Sequence, residues 1–175
     1  MSEEKTIQMP VDSLSYSGLT QLLRNPLIFK LRYILNVYDG KIGVSGMIGR
    51  AGHEALKIYY ANTDWKGVNR NGARDLARET GMEYLMNFSD MGIKYGKTSN
   101  REAMLKAYTK AMDFYFAEEP EYHKWHFVEE KLTAELKTSE GKVLPLPASG
   151  VPDLIHERKD GKYEIIDTKF TKYFT

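Results

Sequence analysis

The chain has 175 residues, a formal net charge of +1 and no cysteine. This length suits one domain, residues 1–175, and the lack of cysteine excludes disulfide bonds and cysteine-ligated zinc or iron–sulfur sites. No apolar run approaches the roughly 18 residues that a membrane-spanning helix needs. The polar start at Met1–Lys5 does not resemble a signal peptide. We therefore expect a cytoplasmic protein without a membrane partner.

Helical patterns dominate the first two thirds of the chain, after a polar arm at residues 1–13. Ser15 or Ser17 can cap a first helix, and Pro26 suits the first turn of a second, which Asp39-Gly40 ends. Residues 43–46 are predicted to form a flexible joint before the third helix. The five predicted helices span about 15–24, 26–38, 47–61, 69–88 and 101–117.

The hydrophobic period changes after Pro120 to the alternation that is typical of strands. The predicted strands span about 127–136, 143–147, 149–157 and 162–170. Helices followed by a small, mostly antiparallel β-meander predict an α+β fold. Within one domain, residues 1–120 form the mainly helical part and residues 121–175 the β-sheet part.

The last two predicted strands carry acidic residues on otherwise apolar sequence. Asp153 lies in the first strand, and Asp167-Thr168-Lys169 ends the second. The chain contains nine acidic-x-Lys triplets, so the triplet alone predicts nothing. This triplet differs from the others because it ends an apolar strand that faces a second apolar strand with an acid.

The turn between these strands decides which residues face each other. A two-residue loop at Asp160-Gly161 would place Asp153 opposite Thr168, on the face away from Asp167. A three-residue loop that starts at Lys159, with Gly161 in the left-handed conformation, places Asp153 opposite Asp167. Lys169 then shares their face. We predict the three-residue loop, or a bulge near Pro152 with the same effect.

Two facing carboxylates favour a divalent cation, which takes oxygen ligands. A lysine beside the cation can orient a water molecule and offset charge that develops on a phosphate. The hairpin therefore predicts a metal-dependent site for phosphate chemistry, built on Asp153, Asp167 and Lys169.

These motifs resemble a known family. Pro152-Asp153 with Asp167-Thr168-Lys169 resembles the signature of the PD-(D/E)XK nuclease superfamily, whose site is of the restriction-endonuclease type. Three further segments resemble motifs of its RecB-type exonuclease branch, in the right order over nearly the whole chain: residues 14–29, residues 49–56 around His53, and Phe127-Val128-Glu129.

The resemblance implies a metal-dependent DNA nuclease, an exonuclease of recombination, repair or phage replication, with endonuclease action left open. Its implied catalytic residues are Asp153, Asp167 and Lys169. The implied ligands of Mg²⁺ or Mn²⁺ are His53, Asp153, Asp167 and the carbonyl of Thr168. Glu129 is an additional acidic candidate that competes with Glu130 for one role.

Two departures from the branch matter. Many members have a cluster-binding cysteine where this chain has Asn25, so we expect no iron–sulfur cluster. The chain also ends at Thr175. Members of the branch usually continue into a further helix that helps to bind substrate, so we expect this chain to be C-terminally truncated. The alternatives are therefore a non-cleaving DNA-binding module, or a nuclease subunit that needs a helicase or recombination partner or the missing segment. The unpaired C-terminal strand predicts self-association.

Overall fold

The structure is a computed structural model that describes residues 11–38, 40–63, 69–97, 99–118 and 124–170. The start of the predicted N-terminal arm and the predicted strand edge at residues 171–175 lie outside these residues. The chain forms two compact units, residues 1–39 with 131–151 and residues 40–130 with 152–175. We call them the first and the second unit. The single domain, with a mainly helical part up to residue 120 and a β-sheet part after it, stays a prediction.

The described residues contain five α-helices and eight short strands. In chain order they are β1 (Leu14–Ser15), α1 (Tyr16–Arg24), α2 (Pro26–Phe29), β2 (Ile42–Gly43), α3 (Val44–Asn62), α4 (Arg70–Asn87), β3 (Ile93–Lys94), α5 (Arg101–Ala117), β4 (Lys124–Val128), β5 (Leu132–Ala134), β6 (Ala148–Gly150), β7 (Leu154–Glu157) and β8 (Tyr163–Ile166). A π-helix, Lys30–Ile34, continues α2.

Side-chain caps define the helices of the first unit. Ser15 Oγ accepts a hydrogen bond from Gly18 N at 3.0 Å, so Ser15 is the cap of α1. Asn25 Oδ1 accepts from Ile28 N at 3.1 Å and caps α2. The helical run that starts at Pro26 ends near Ile34, because Asn36 takes a left-handed φ of 52°. The predicted end at Asp39-Gly40 is therefore wrong.

The sheet of the first unit has the strand order β1-β6-β5, with β6 parallel to β1 and antiparallel to β5. Ser13 Oγ donates a hydrogen bond to Ser149 Oγ at 2.8 Å beside the parallel pair. The strand predicted over 143–147 is reduced to one isolated bridge between Lys137 and Val143.

The core of the second unit lies between α3, α4 and α5, where small residues let the helices approach closely. Ala51 and Ala55 on α3 are fully buried, as are Ala73 and Ala77 on α4. A Cβ on Gly81 would overlap the buried ring of Tyr108, so α4 can approach α5 only with glycine there. Helix α3 begins at Val44, so the flexible joint predicted at residues 43–46 is wrong.

The second unit also holds an antiparallel sheet of strand order β4-β7-β8. Leu154 pairs with Ile166 and Glu157 with Tyr163, which is the register of a three-residue loop. Gly161 has a φ of 77° and donates its amide to Arg158 O at 2.9 Å. The predicted loop of Lys159 to Gly161 is therefore confirmed.

The predicted strand over residues 127–136 is interrupted. Strand β4 ends at Val128, Glu129 has a left-handed φ of 53°, and β5 begins only at Leu132. A left-handed residue cannot continue a β-ladder, so the alternating pattern does not correspond to one strand.

Helices and short, largely antiparallel strands together confirm the predicted α+β class. Within the part of the chain that the structure describes, no helix is both long and apolar enough to span a membrane.

Candidate metal centre

Three residues from three different segments of the second unit converge at one point. His53 lies at the middle of α3, Glu129 directly follows β4, and Asp153 directly precedes β7. Each of the three contributes a ligand-type atom, and these atoms all lie within 4.8 Å of one another. Among the described residues, this is the group of three or more such side chains that could hold a metal ion.

The imidazole stands between the two acids. His53 Nδ1 lies 3.3 Å from Glu129 Oε1 and 3.4 Å from Asp153 Oδ1. All three residues are partly buried, with 16% of the Asp153 side chain exposed. We call His53, Glu129 and Asp153 the ligand cluster.

The backbone fixes the two acids of the ligand cluster. Thr168 N donates to Asp153 Oδ2 at 2.5 Å, which ties the carboxylate to the chain beyond β8. Glu129 N donates to Asp153 O at 3.3 Å. The left-handed φ of Glu129 turns the chain out of β4 at this point. A main-chain amide thus holds the Asp153 carboxylate directly, whereas the backbone contact and the turn at Glu129 position only the main chain from which its side chain extends.

The electrostatics of Glu129 fit a site that needs a cation. Burial raises the pKa of the Glu129 carboxyl above its usual value of 4.5. The charge of His53 lowers it, whereas the carboxylates of Asp153 and Glu54 raise it further. An acid beside other acids gains most from a positive charge, and a bound cation would supply that charge.

Asp167 and Lys169 form a separate pair. Lys169 Nζ donates to Asp167 Oδ1 at 2.6 Å, and the side chains are 66% and 61% exposed, respectively. The hydrogen bond from Asp167 raises the pKa of the Lys169 ammonium above its usual value. The structure does not bring the Asp167 carboxylate into the ligand cluster, although Asp153 directly precedes Leu154 and Asp167 directly follows Ile166, the residue with which Leu154 pairs.

Thr168 joins the ligand cluster to this pair. Its amide donates to Asp153, and its neighbours in the chain are Asp167 and Lys169. Roles for Asp167 and for the Thr168 carbonyl as metal ligands stay predictions.

The donor set of the ligand cluster suits a divalent cation. Carboxylate oxygens are the ligands that Mg²⁺ and Mn²⁺ prefer, and an imidazole nitrogen is compatible with Mn²⁺. Atoms up to 4.8 Å apart can share one cation at metal–ligand distances of about 2.0–2.6 Å. The residues present therefore fit a divalent metal, which would be held by His53, Glu129 and Asp153.

A glycine on α3 positions the imidazole and the chain beyond β8. A Cβ on Gly52 would overlap the ring of Phe170, so that ring packs directly on the helix backbone. The same ring lies edge-on to the His53 imidazole, with the ring centroids 5.7 Å apart. The contact holds residue 170, and with it the segment from Asp167 to Lys169, beside the histidine.

A groove of about 1030 Å³ lies beside this segment. Thr168, Lys169 and Phe170 line part of it, and α5 lines much of the rest. Sequence reasoning missed this groove. The available signal was the four-residue spacing of Ala103, Ala107 and Ala111, which marks a second, shallow face of α5 beside its core face.

Comparison with known proteins identifies the family. The sequence model of the PD-(D/E)XK nuclease superfamily matches residues 13–174. No curated protein and no solved structure shows a match to the chain. Because the family match covers nearly all of the sequence, the chain belongs to the PD-(D/E)XK nuclease superfamily.

Proposed function

We propose that the chain is a deoxyribonuclease that hydrolyses DNA phosphodiester bonds with Mg²⁺ or Mn²⁺ and acts as an exonuclease. The observation that carries the proposal is the junction at Asp153. One carboxylate oxygen lies in the ligand cluster, and the other accepts the amide of Thr168, between Asp167 and Lys169. Exonuclease action is supported by the motifs around His53 and Glu129, which resemble those of the RecB-type branch.

In this mechanism His53, Glu129 and Asp153 would hold the cation, and the Asp167 carboxylate would be available to it if the pair with Lys169 opened. A bound divalent cation supplies Lewis acidity toward the phosphate and lowers the pKa of a coordinated water. The chain supplies orientation, since the main-chain contacts of Asp153 keep its carboxylate in place.

Lys169 acts as a cation in this mechanism and not as a general base. Its raised pKa keeps the ammonium protonated at neutral pH. An ammonium can donate to a phosphate oxygen and offset the negative charge that develops there during hydrolysis. Removing Lys169 should therefore slow catalysis much more than it weakens metal binding.

A second candidate function is favoured by one observation, the pairing of Asp167 with Lys169 outside the ligand cluster. A nuclease subunit that cleaves only with a helicase or recombination partner, or a module that binds DNA without cleaving it, would be consistent with that pairing. In either case the chain binds metal but does not cleave DNA by itself.

The test is digestion of end-labelled linear DNA and covalently closed circular DNA, each with Mg²⁺, Mn²⁺ or EDTA. An exonuclease degrades the linear DNA, leaves the circle intact and is inactive in EDTA. Lys169→Met should reduce the rate by about a hundredfold or more, while calorimetry still detects Mn²⁺ binding. Lys162→Met, at an exposed lysine of the same hairpin, is the matched control and should have wild-type activity.

Metal binding without cleavage of either DNA supports the second candidate function. Cleavage of the circle shows endonuclease action. Cleavage that persists in EDTA, or that is unchanged in Lys169→Met, contradicts the proposed mechanism.

A further inference from the structure

The groove beside Lys169 belongs entirely to the second unit. It is lined by the start of α3, the loop between β3 and α5, one face of α5, and Thr168 to Phe170. The ligand cluster does not line the groove, and of the neighbouring segment 167–169 only Thr168 and Lys169 do. The rest of the groove needs a function of its own.

The floor of the groove is formed by small side chains. Ala103, Ala107 and Ala111 recur every four residues along α5 and line the groove together. The core face of α5 is formed mainly by other residues, among them Tyr108 and Met112. Large side chains at the alanine positions would fill the groove, so this face of α5 leaves room for a ligand.

The charges around the groove favour an anionic ligand. Lys94, Lys110 and Lys169 line it, and Glu118 is the acidic residue among its lining residues. Lys94 and Lys110 are exposed, and neither has an ion-pair partner among the residues that the structure describes. The groove therefore carries an excess of positive charge, to which Lys169 of the Asp167–Lys169 pair contributes.

An aromatic side chain lies among these lysines. The Phe114 side chain lines the groove and is 50% exposed. A positively charged groove with an exposed aromatic ring matches how proteins bind single-stranded nucleic acid, in which lysines contact the phosphates and rings stack on bases. Bases in a duplex are stacked on each other, so their faces are not available to such a ring.

We propose that this groove binds the unpaired nucleotides of a single DNA strand on one side of the scissile phosphate. Phe114 stacks on a base, and Lys94 and Lys110 contact phosphates between that base and Lys169. The inference rests on the proposed nuclease function and adds to it a substrate class, single-stranded DNA or the frayed end of a duplex.

The test is the affinity of metal-free protein for a labelled oligo(dT) and for a duplex of equal length, measured by fluorescence anisotropy in EDTA. Phe114→Ala should weaken oligo(dT) binding roughly tenfold with little effect on the duplex, whereas Phe114→Trp should retain it. Lys110→Gln should weaken binding and reduce its salt dependence by about one unit in the log–log slope. Matched controls are Tyr163→Ala, at an exposed ring outside the groove, and Lys106→Gln, on α5 but not in the groove.

The inference is overturned if Phe114→Ala binds oligo(dT) as tightly as the wild type. It is also overturned if single-stranded and duplex DNA lose affinity equally, or if the control variants lose as much as the groove variants. Equal thermal stability of all variants excludes unfolding as the cause of a loss.

A second measurement separates this inference from the proposed nuclease function. Bis(p-nitrophenyl) phosphate is a small phosphodiester that does not need the groove, so its hydrolysis by the wild-type protein with Mn²⁺ reports on the nuclease function alone. If the small phosphodiester is hydrolysed but oligo(dT) binding does not depend on Phe114, the proposed role of the groove is rejected and the nuclease function is retained. Oligo(dT) binding that depends on Phe114, without hydrolysis of any phosphodiester, rejects the nuclease function and leaves the binding site.

Discussion

The ligand cluster and the Asp167–Lys169 pair are neighbours in space but differ in how they are held. In the cluster, His53 stands between two partly buried acids, the Thr168 amide holds the Asp153 carboxylate, and the Glu129 amide donates to the Asp153 carbonyl. In the pair, both side chains are more than half exposed and contact each other. One region is arranged for a ligand by the fold itself, while the other is held by a single ion pair.

This difference assigns separate tasks to the two regions. An exposed ion pair contributes only about 0–1 kcal/mol to stability, so opening it requires little free energy. A cation in the ligand cluster could therefore attract the Asp167 carboxylate and leave Lys169 to contact a phosphate. Affinity for metal should then come mainly from the cluster, and the pair should act mainly on the rate.

The largest expected effect comes from exchanging each acid for its amide. Asp153→Asn should reduce cleavage on the order of a thousandfold and Mn²⁺ affinity by about a hundredfold, on the scale that altered metal shells reach. Asp167→Asn should reduce cleavage strongly but Mn²⁺ affinity less than about tenfold, because its carboxylate lies outside the ligand cluster. Calorimetric Mn²⁺ titration and single-turnover digestion measure the two quantities.

Asparagine keeps an oxygen that can accept the amide of Thr168, so the Asp153 variant should remain folded. Equal losses of metal affinity in the two variants would contradict the division of tasks between the cluster and the pair.

An intermediate effect is expected where the two regions are joined, at Gly52 and Phe170. Gly52→Ala places a Cβ where the Phe170 ring packs, and such overpacking costs about 1–3 kcal/mol. Because the ring must move, the Asp167–Lys169 pair should shift relative to His53, and cleavage should fall by about tenfold. Thermal unfolding and digestion rates measure both effects.

Gly49→Ala is a matched control on the same helix, because a Cβ there would meet nothing within 4 Å. It should be neutral or slightly stabilising. The double variant Gly52→Ala/Phe170→Ala should lose less stability than the two single changes combined, since the overlap is absent. Strict additivity would show that the predicted overlap does not form.

The smallest effect concerns the pH dependence of the metal-free protein. Burial raises the pKa of Glu129 in the folded state above the 4.5 of an ordinary glutamate. Between these two pKa values the folded state keeps a proton that the unfolded state has lost. Stability should therefore fall as the pH rises through this window. Melting temperatures measured in EDTA across the window should show this slope in the wild type.

Glu129→Gln should flatten the slope, whereas Glu83→Gln, at an exposed position on α4, should not. Added Mn²⁺ should also remove it, because the cation favours the ionised carboxylate. A slope that is unchanged in Glu129→Gln would mean that another group titrates in this window.

Local sequence patterns predicted the hairpin well. Asp153 and Asp167 can lie on the same face of the hairpin only with a three-residue loop or a bulge. The left-handed φ of Gly161 and the pairing of Leu154 with Ile166 confirm the loop. The prediction succeeded because the strand period of two and the freedom of glycine are properties of neighbouring residues. The helix Arg101–Ala117 was predicted for the same reason, from the helical spacing of its apolar residues, and the structure adds its cap at Asn100.

The sequence alone could not decide which acid joins His53. Alternation in residues 127–136 predicted one strand through Glu129, but the backbone turns there and brings the Glu129 carboxylate to His53. Nothing in the local pattern marks that turn, since Glu129 is neither glycine nor asparagine. A left-handed glutamate is disfavoured locally and exists only where contacts with other segments maintain it.

The sequence by itself determined the α+β class, the hairpin that carries Asp153 and Asp167, and the family motifs, because periodicity, turn residues and motif order are linear properties. Only the tertiary structure decided that His53, Glu129 and Asp153 meet, that Asp167 pairs with Lys169, and that a groove lies along α5. These arrangements depend on how closely the helix backbone at Gly52 approaches Phe170 and the chain beyond β8. That approach is set by packing between residues more than 100 positions apart, which no local pattern encodes.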